Sequence, residues 1–167
     1  MNKIILVVVA ILIVLAAVFF WQYKGNFSSV NIPYNNNANS QNKNLDLSNQ
    51  GLTSIPSYVF NQINLEELNV SNNYLTGAIQ SQIGQLKNLK VLNASHNQMT
   101  GVPAEVGQLK NLQVLDLSYN QLTGLPNELG NLKNLKTLNL SGNSYSQQDL
   151  SGIRAKLPST VNIIVGQ

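Results

Sequence analysis

Between Leu65 and Asn143 the chain repeats one phrase four times: LEELNVSNNYL, LKVLNASHNQM, LQVLDLSYNQL and LKTLNLSGNSY. The copies begin at Leu65, Leu89, Leu112 and Leu135, so successive starts fall 24, 23 and 23 residues apart. A degenerate fifth copy, NKNLDLSNQGL, precedes them from Asn42, with Gln50 in the asparagine position. Each copy fits L-x-x-L-x-L-x-x-N-x-L. A phrase at this fixed period constrains the fold severely, because each copy is one supersecondary unit that cannot bury its apolar face alone. Stacking the copies solves that problem and creates a continuous core.

Alternation around Leu45/Leu47, Leu68/Val70, Leu92/Ala94, Leu115/Leu117 and Leu138/Leu140 predicts five short strands with their apolar side inward. Asn73, Asn97, Asn120 and Asn143 stand where the chain leaves each strand. An inward amide carries two donors and an acceptor, so this column is expected to form a structural ladder that satisfies turn backbone. Each copy then closes alike. Ile55-Pro56, Val102-Pro103 and Leu125-Pro126 are followed by apolar residues at steps of three, as are Ile83, Leu86 and Leu89 after Ile79-Gln80. Proline fits the first position of a helical turn, and the step of three predicts one brief 3₁₀ segment per copy on the outer face. Ala78 is the extra residue of the long copy.

With its LTGAIQ, MTGVP and LTGLP wording and its GQLKNL and GNLKNL joints, the sequence resembles the leucine-rich repeat family. The wording is similar to that of short membrane-anchored bacterial members and of plant receptors. The resemblance covers residues 42 to about 145. It implies an α/β solenoid with a parallel sheet on the concave face and short helical turns on the convex face. It also implies recognition of a protein or peptide ligand on that sheet.

After Asn143 the pattern changes to a cap over residues 146–167. Ser146 and Asp149 resemble a capping box. Leu150, Ile153 and Leu157 form the apolar stripe of a short helix that Pro158 stops, and Val161, Ile163 and Val165 alternate as a last strand beside Thr137 to Leu140. This βα unit is expected to shield the open end of the core.

Before the repeats lie two further segments, 1–24 and 25–42. Ile4 to Trp21 are 18 consecutive apolar residues, near the ~20 that span a ~30 Å hydrocarbon core. Phe19, Phe20, Trp21 and Tyr23 place aromatics at the interface, and no small-x-small cleavage pattern follows. The segment reads as an uncleaved transmembrane anchor. Lys3 and the terminal amine against Lys24 favour a cytoplasmic N-terminus and an extracytoplasmic C-terminal domain. An asparagine-rich tract through Asn35, Asn36, Asn37 and Asn39 reads as a flexible tether.

Composition removes several classes of function. The net charge of +3 is not a nucleic-acid footprint, because eight basic and seven acidic residues from Lys43 onward nearly balance. Without cysteine there are no disulfides, thiol chemistry or cysteine zinc sites. Sequons at Asn69, Asn93 and Asn139 would crowd the inner face with sugar in a glycosylating host, which favours a bacterial envelope. No cofactor or metal is expected: Asp46 and Asp116 are separated by the repeats of Asn69 and Asn93. Ser118, His96 and Asp116 do not make a triad, since His96 lies three positions further along its repeat than Asp116, about 11 Å away at strand spacings. No catalytic residue is assigned. Lys87, Lys110 and Lys133 read as a solvated outer stripe, and Gly84, Gly107 and Gly130 as turn residues.

Three outward rows cross the strands. They are Asn44, Glu67, Val91, Val114 and Thr137; Asp46, Asn69, Asn93, Asp116 and Asn139; and Asn49, Asn72, His96, Tyr119 and Gly142. Val91 and Val114 are apolar neighbours among polar ones, and His96 and Tyr119 extend the patch. The expected contact residues are therefore Val91, Val114, His96 and Tyr119, flanked by Asn93 and Asp116. The expectation is a membrane-anchored binding module, not an enzyme. The alternative is a structural or adhesion role in the envelope, with glycan or cell-wall polymer as the ligand.

Overall fold

The computed structural model describes residues 42–166. The expected anchor at Ile4 to Trp21 and the expected tether, up to residue 41, lie outside the described residues. Among those described, no helix is long and apolar enough to cross a membrane.

Six strands form one parallel sheet: β1 (Asn44–Asp46), β2 (Glu67–Asn69), β4 (Val91–Asn93), β6 (Val114–Asp116), β7 (Thr137–Asn139) and β8 (Asn162–Ile164). Their register is the repeat alignment itself. Leu68 pairs with Leu92, Leu92 with Leu115, and Leu115 with Leu138. All four are buried, as are Val70, Ala94, Leu117 and Leu140 two positions on, so the period-two reading of these strands holds. The sheet's partner layer is four 3₁₀ turns, Ser57–Asn61, Ser81–Gln85, Ala104–Gln108 and Asn127–Asn131. Pro56, Pro103 and Pro126 precede three of them. Val59, Ile83, Val106 and Leu129 point from these turns into the core.

A second small sheet pairs β3 (Thr76–Ala78) with β5 (Gln98–Gly101) on the flank. It is built from the LTG wording, which the sequence reading assigned to no strand. Gly77 pairs with Met99 but Ala78 pairs with Gly101, so the register shifts where the long copy has its extra residue.

The asparagine ladder is present as expected. Asn97 accepts from the Leu75 N–H and donates to the carbonyls of Val70, Ala94 and Ser95. Asn73, Asn120 and Asn143 repeat this arrangement. Each amide therefore ties its own turn to the preceding repeat. A second column escaped the sequence reading. Asn88, Asn111 and Asn134 donate to the carbonyls of Ile63, Lys87 and Lys110, stitching successive repeats on the outer side. The KNL wording that recurs at each joint was its signal.

One reading of the outer layer needs refinement. Lys87, Lys110 and Lys133 are exposed but not merely solvated. The Lys110 ammonium donates to Gly107 O at 2.8 Å, Lys133 donates to the carbonyls of Gly130 and Lys156, and Lys87 reaches Gln108. A 3₁₀ turn ends with unpaired carbonyls, and a flexible cationic stem can reach them. Gly84, Gly107 and Gly130 are turn residues as expected, inside the 3₁₀ turns that pack repeat against repeat. A Cβ on Gly107 would stand 2.3 Å from the Glu128 carbonyl oxygen. Gly107→Ala is therefore expected to wedge adjacent repeats apart and cost on the order of 1–3 kcal/mol. Urea unfolding checks this, with Gly101→Ala as the comparison, where an added Cβ would meet only Ala78 Cβ at an ordinary 3.8 Å.

The cap consists of α1 (Gln147–Arg154) and β8. Ser146 caps the helix by accepting from Gln148 N–H. Asp149 does not complete the box: its carboxylate accepts from the Leu125 N–H of the previous repeat, so it docks the cap instead. Leu150, Ile153 and Leu157 close the end of the core. At the other end Glu66 bridges Lys43 at 2.6 Å and Lys90 at 2.5 Å. These partners, Lys43 first, hold its carboxyl below the usual range. Its small contribution is present at neutral pH and lost as pH falls through that lowered value.

Candidate functional site

Parallel register carries the outward rows across the concave face. The first runs Asn44, Glu67, Val91, Val114, Thr137 and Asn162, and the second Asp46, Asn69, Asn93, Asp116, Asn139 and Ile164. Val91 and Val114 are thus directly paired, both half-buried.

The second row has a local cause. Asn93 Oδ1 accepts from both the N–H and the hydroxyl of Ser95, at 3.1 and 2.8 Å. Asp116 accepts from Ser118 at 2.9 and 2.6 Å, and Asn139 from Ser141 at 3.3 and 2.9 Å. Asp46 and Asn69 accept from the N–H of Ser48 and Ser71. A short carboxamide or carboxylate two residues before a serine closes an Asx turn at the strand end. One oxygen per residue is therefore committed to the fold. Only the second polar atom of each faces outward, and that of Asp116 accepts from Asn139 Nδ2 at 3.1 Å. These bonds leave Ser118 paired with Asp116, while the ring of His96 is engaged with Tyr119.

The third row departs from the expectation. His96 and Tyr119 are not outward strand positions, because β4 and β6 end at Asn93 and Asp116. They lie in the turn beyond, in the left-handed region, with φ of 52° at both. Asn49, Asn72 and Gly142 occupy the same conformation in their repeats, at 57°, 55° and 68°. The turn reverses the chain away from the strand, and only a positive φ permits it so abruptly. Glycine and asparagine accept that geometry readily, whereas a bulky residue there costs roughly 1–2 kcal/mol. The two aromatic residues sit on adjacent rungs, joined by the bond from His96 N–H to Ser118 O. Their rings stack with centroids 4.5 Å apart and planes 14° from parallel. On the other side of Tyr119 stands Gly142, where a Cβ would fall 2.7 Å from Tyr119 Cδ1. The ring leans over a rung that has no side chain, and it remains 52% exposed.

Charge is sparse in the three rows, and Lys43, Glu66, Lys90 and Lys136 border them one position before the first. Within the rows the charged residues are Asp46, Glu67 and Asp116, and no lysine or arginine stands there. On the flank, a cavity of about 120 Å³ lined by Ile55, Leu75, Ile79 and Met99 falls below the ~300 Å³ of small-molecule sites.

A family model described as a leucine-rich repeat region matches residues 63–155, more than half of the chain. The chain belongs to the leucine-rich repeat family. Among solved structures it is similar to a leucine-rich repeat protein of Leptospira interrogans, with 40% identity and a TM-score of 0.67, covering 72% of this chain and 30% of that one. It is similar to the ectodomain of the receptor kinase GASSHO1/SCHENGEN3 from Arabidopsis thaliana, solved in complex with Casparian strip integrity factor 2. That match has 32% identity and a TM-score of 0.57 over 67% of this chain and 14% of that one. An internalin of Listeria monocytogenes matches at 25% identity with a TM-score of 0.60, over 68% and 32% of the two chains. This leucine-rich repeat chain thus spans less than a third of each of these proteins. No curated protein matches it.

Proposed function

We propose that this leucine-rich repeat chain is a binding module, held to a bacterial membrane by Ile4 to Trp21 with its repeats outside the cytoplasm. Its ligand is a protein or peptide that docks on the concave face at Val91, Val114, His96 and Tyr119, flanked by Asn93 and Asp116. The observation that carries this reading is the pair of stacked aromatic rings in left-handed turn positions. A fold has no need for tyrosine there: Asn49, Asn72 and Gly142 make the same turn with less strain. The stacked pair returns part of the cost, roughly 0.5–1.5 kcal/mol, and leaves an exposed aromatic beyond the strands that carry the two valines, with the Asn93 and Asp116 row between. Exposed aromatics next to apolar contacts are common at the centres of interfaces. The receptor ectodomain in complex with an integrity factor supports a polypeptide ligand.

Tyr119→Asn separates binding from folding. Asparagine suits the turn, so the melting temperature should stay level or rise slightly. Affinity for peptides selected from a random display library on the full-length chain should fall by about 1–3 kcal/mol. Lys110→Ala, on the outer layer, should lower stability slightly and leave affinity unchanged. If selection yields no peptide and purified wall polymer binds instead, the envelope-adhesion reading replaces this one. For the membrane part, the full chain should stay in the pellet after carbonate extraction with Met1 intact. A mature N-terminus beyond Tyr23 would rule out the anchor.

A further inference from the structure

β8 is the last strand of the sheet, and its outer edge is open. Asn162 N–H donates to Lys136 O, while Ile164 O and Gly166 O accept from the Leu140 and Gly142 N–H groups. These alternate residues face β7, so Ile163 and Val165 turn their N–H and C=O groups to the free edge. Their side chains stand one rung beyond Leu138 and Leu140, which are fully buried. With no further rung to cover them, Val161 and Ile163 are only partly buried, and Val165 is 46% exposed. The cap helix α1 packs against the last 3₁₀ turn rather than across this edge. Natural sheets guard such edges with charge, proline or a bulge. At the opposite edge β1 carries Asp46 and follows Lys43. β8 has none of these guards: VNIIVG is uncharged and free of proline, and its register with β7 is unbroken.

The side chains along the open edge are Val161, Ile163 and Val165, and that order reads the same from either end. We infer that the β8 edge is a self-association surface, on which a second copy of this chain pairs antiparallel about Ile163. Ile163 then lies opposite Ile163 of the second copy and exchanges two backbone hydrogen bonds with it, while Val165 lies opposite Val161 on either side. A two-fold pair must be self-complementary, and a palindromic edge meets that demand without any shift of register. β-branched side chains opposed on one face are favourable cross-strand partners. The caps do not obstruct the pairing. Helix α1 follows β7 in the chain and lies one rung back from the edge, so three strand spacings, roughly 14 Å, separate the two helices. Helices in contact pack at about 8–10 Å, so space remains for the edge side chains. So short an edge buries less than the ~1,200 Å² of standard interfaces, and the pair is expected to dissociate on dilution. Opposed residues of an antiparallel pair share a face, so both concave faces look the same way. On the concave-face reading above, the dimer is bivalent.

The chain contains no cysteine, so introduced cysteines report register directly. In the full-length chain, solubilised in detergent micelles, Ile163→Cys should form an intermolecular disulfide under mild oxidation. Val165→Cys alone should link at least five-fold less, because its two copies lie four residues, roughly 13 Å, apart along the strands. That exceeds the ~7 Å limit between Cα atoms of a disulfide. Mixing Val165→Cys with Val161→Cys should restore linkage. Val165→Pro removes an N–H that faces the free edge, so the melting temperature of the dilute chain should hold while Ile163→Cys linkage falls at least five-fold. Val165→Lys and Val161→Glu should each weaken self-association in sedimentation, and an equimolar mixture should recover it. Equal linkage at positions 163 and 165, or linkage indifferent to Val165→Pro, would overturn the paired edge. If the chain stays monomeric at every concentration while an uncharged valine-rich peptide protects the Ile163 and Val165 amides from exchange, the occupant is a peptide and the second copy is wrong. Affinity of library-selected peptides for Tyr119→Asn tests the concave-face reading separately and does not bear on these outcomes.

Discussion

Leu115→Ala is expected to lower the unfolding free energy by about 2–5 kcal/mol, measured by urea denaturation with the full transition recorded. Leu115 is the middle rung of the inward column and is fully buried. Its strand β6 pairs with β4 on one side and β7 on the other, so the surrounding backbone is held in place and cannot collapse into the cavity. Leu45, in the equivalent position of β1, is only partly buried at the end of the stack. Leu45→Ala should therefore cost well under half as much. Comparable losses at the two positions would contradict a core that runs continuously and is most confined at its middle. In a solenoid the damage should also spread to neighbours, because each repeat is stable largely through its interfaces with the next.

Asn120→Ala is expected to follow, at about 3 kcal/mol, since it strands more than one buried backbone group. The Asn120 amide accepts from Met99 N–H and donates to the carbonyls of Ala94, Leu117 and Ser118, and all four of these bonds are buried. Alanine fills none of these roles, and the space left is too enclosed for bulk solvent to compensate freely. Asn143 makes the equivalent bonds around Leu122, Leu117, Leu140 and Ser141, but they are only partly buried beside the cap. Asn143→Ala should accordingly cost less. Amide exchange would locate the effect: the Met99 N–H should lose its protection in Asn120→Ala, and continued protection there would sink the ladder as its cause.

Among the candidate residues, Val91 and Val114 were legible as a pair because the repeat register is the strand register. Asn93 and Asp116 were legible as positions but not in their use. The Asx bonds to Ser95 and Ser118 commit half of each side chain to the turn, which a recurring Asn/Asp-x-Ser pattern could have signalled. His96 and Tyr119 were legible as neighbours, but their conformation was misread. They stand three positions beyond Asn93 and Asp116, off the two-residue strand period, and the backbone angle shows the turn that this step marks.

The solenoid, its five repeats, the inward leucines and the asparagine ladder were readable along the chain because each follows from a period that recurs in register, and the cap because that period stops after Asn143. One strand's pattern is weak, but five aligned copies leave a single way to bury every leucine. The features that were not readable along the chain depend on contacts between copies rather than on any one copy. Gly107 is constrained by the Glu128 carbonyl of the next repeat, and Asp149 is drawn from its own helix end to Leu125. Lys110 and Lys133 find carbonyls in their own and the following repeat. Tyr119 likewise owes its stack to His96 one rung before it and its room to Gly142 one rung after. Such contacts are set by how closely successive turns approach, a distance fixed by hydrogen bonding between strands and invisible along the chain.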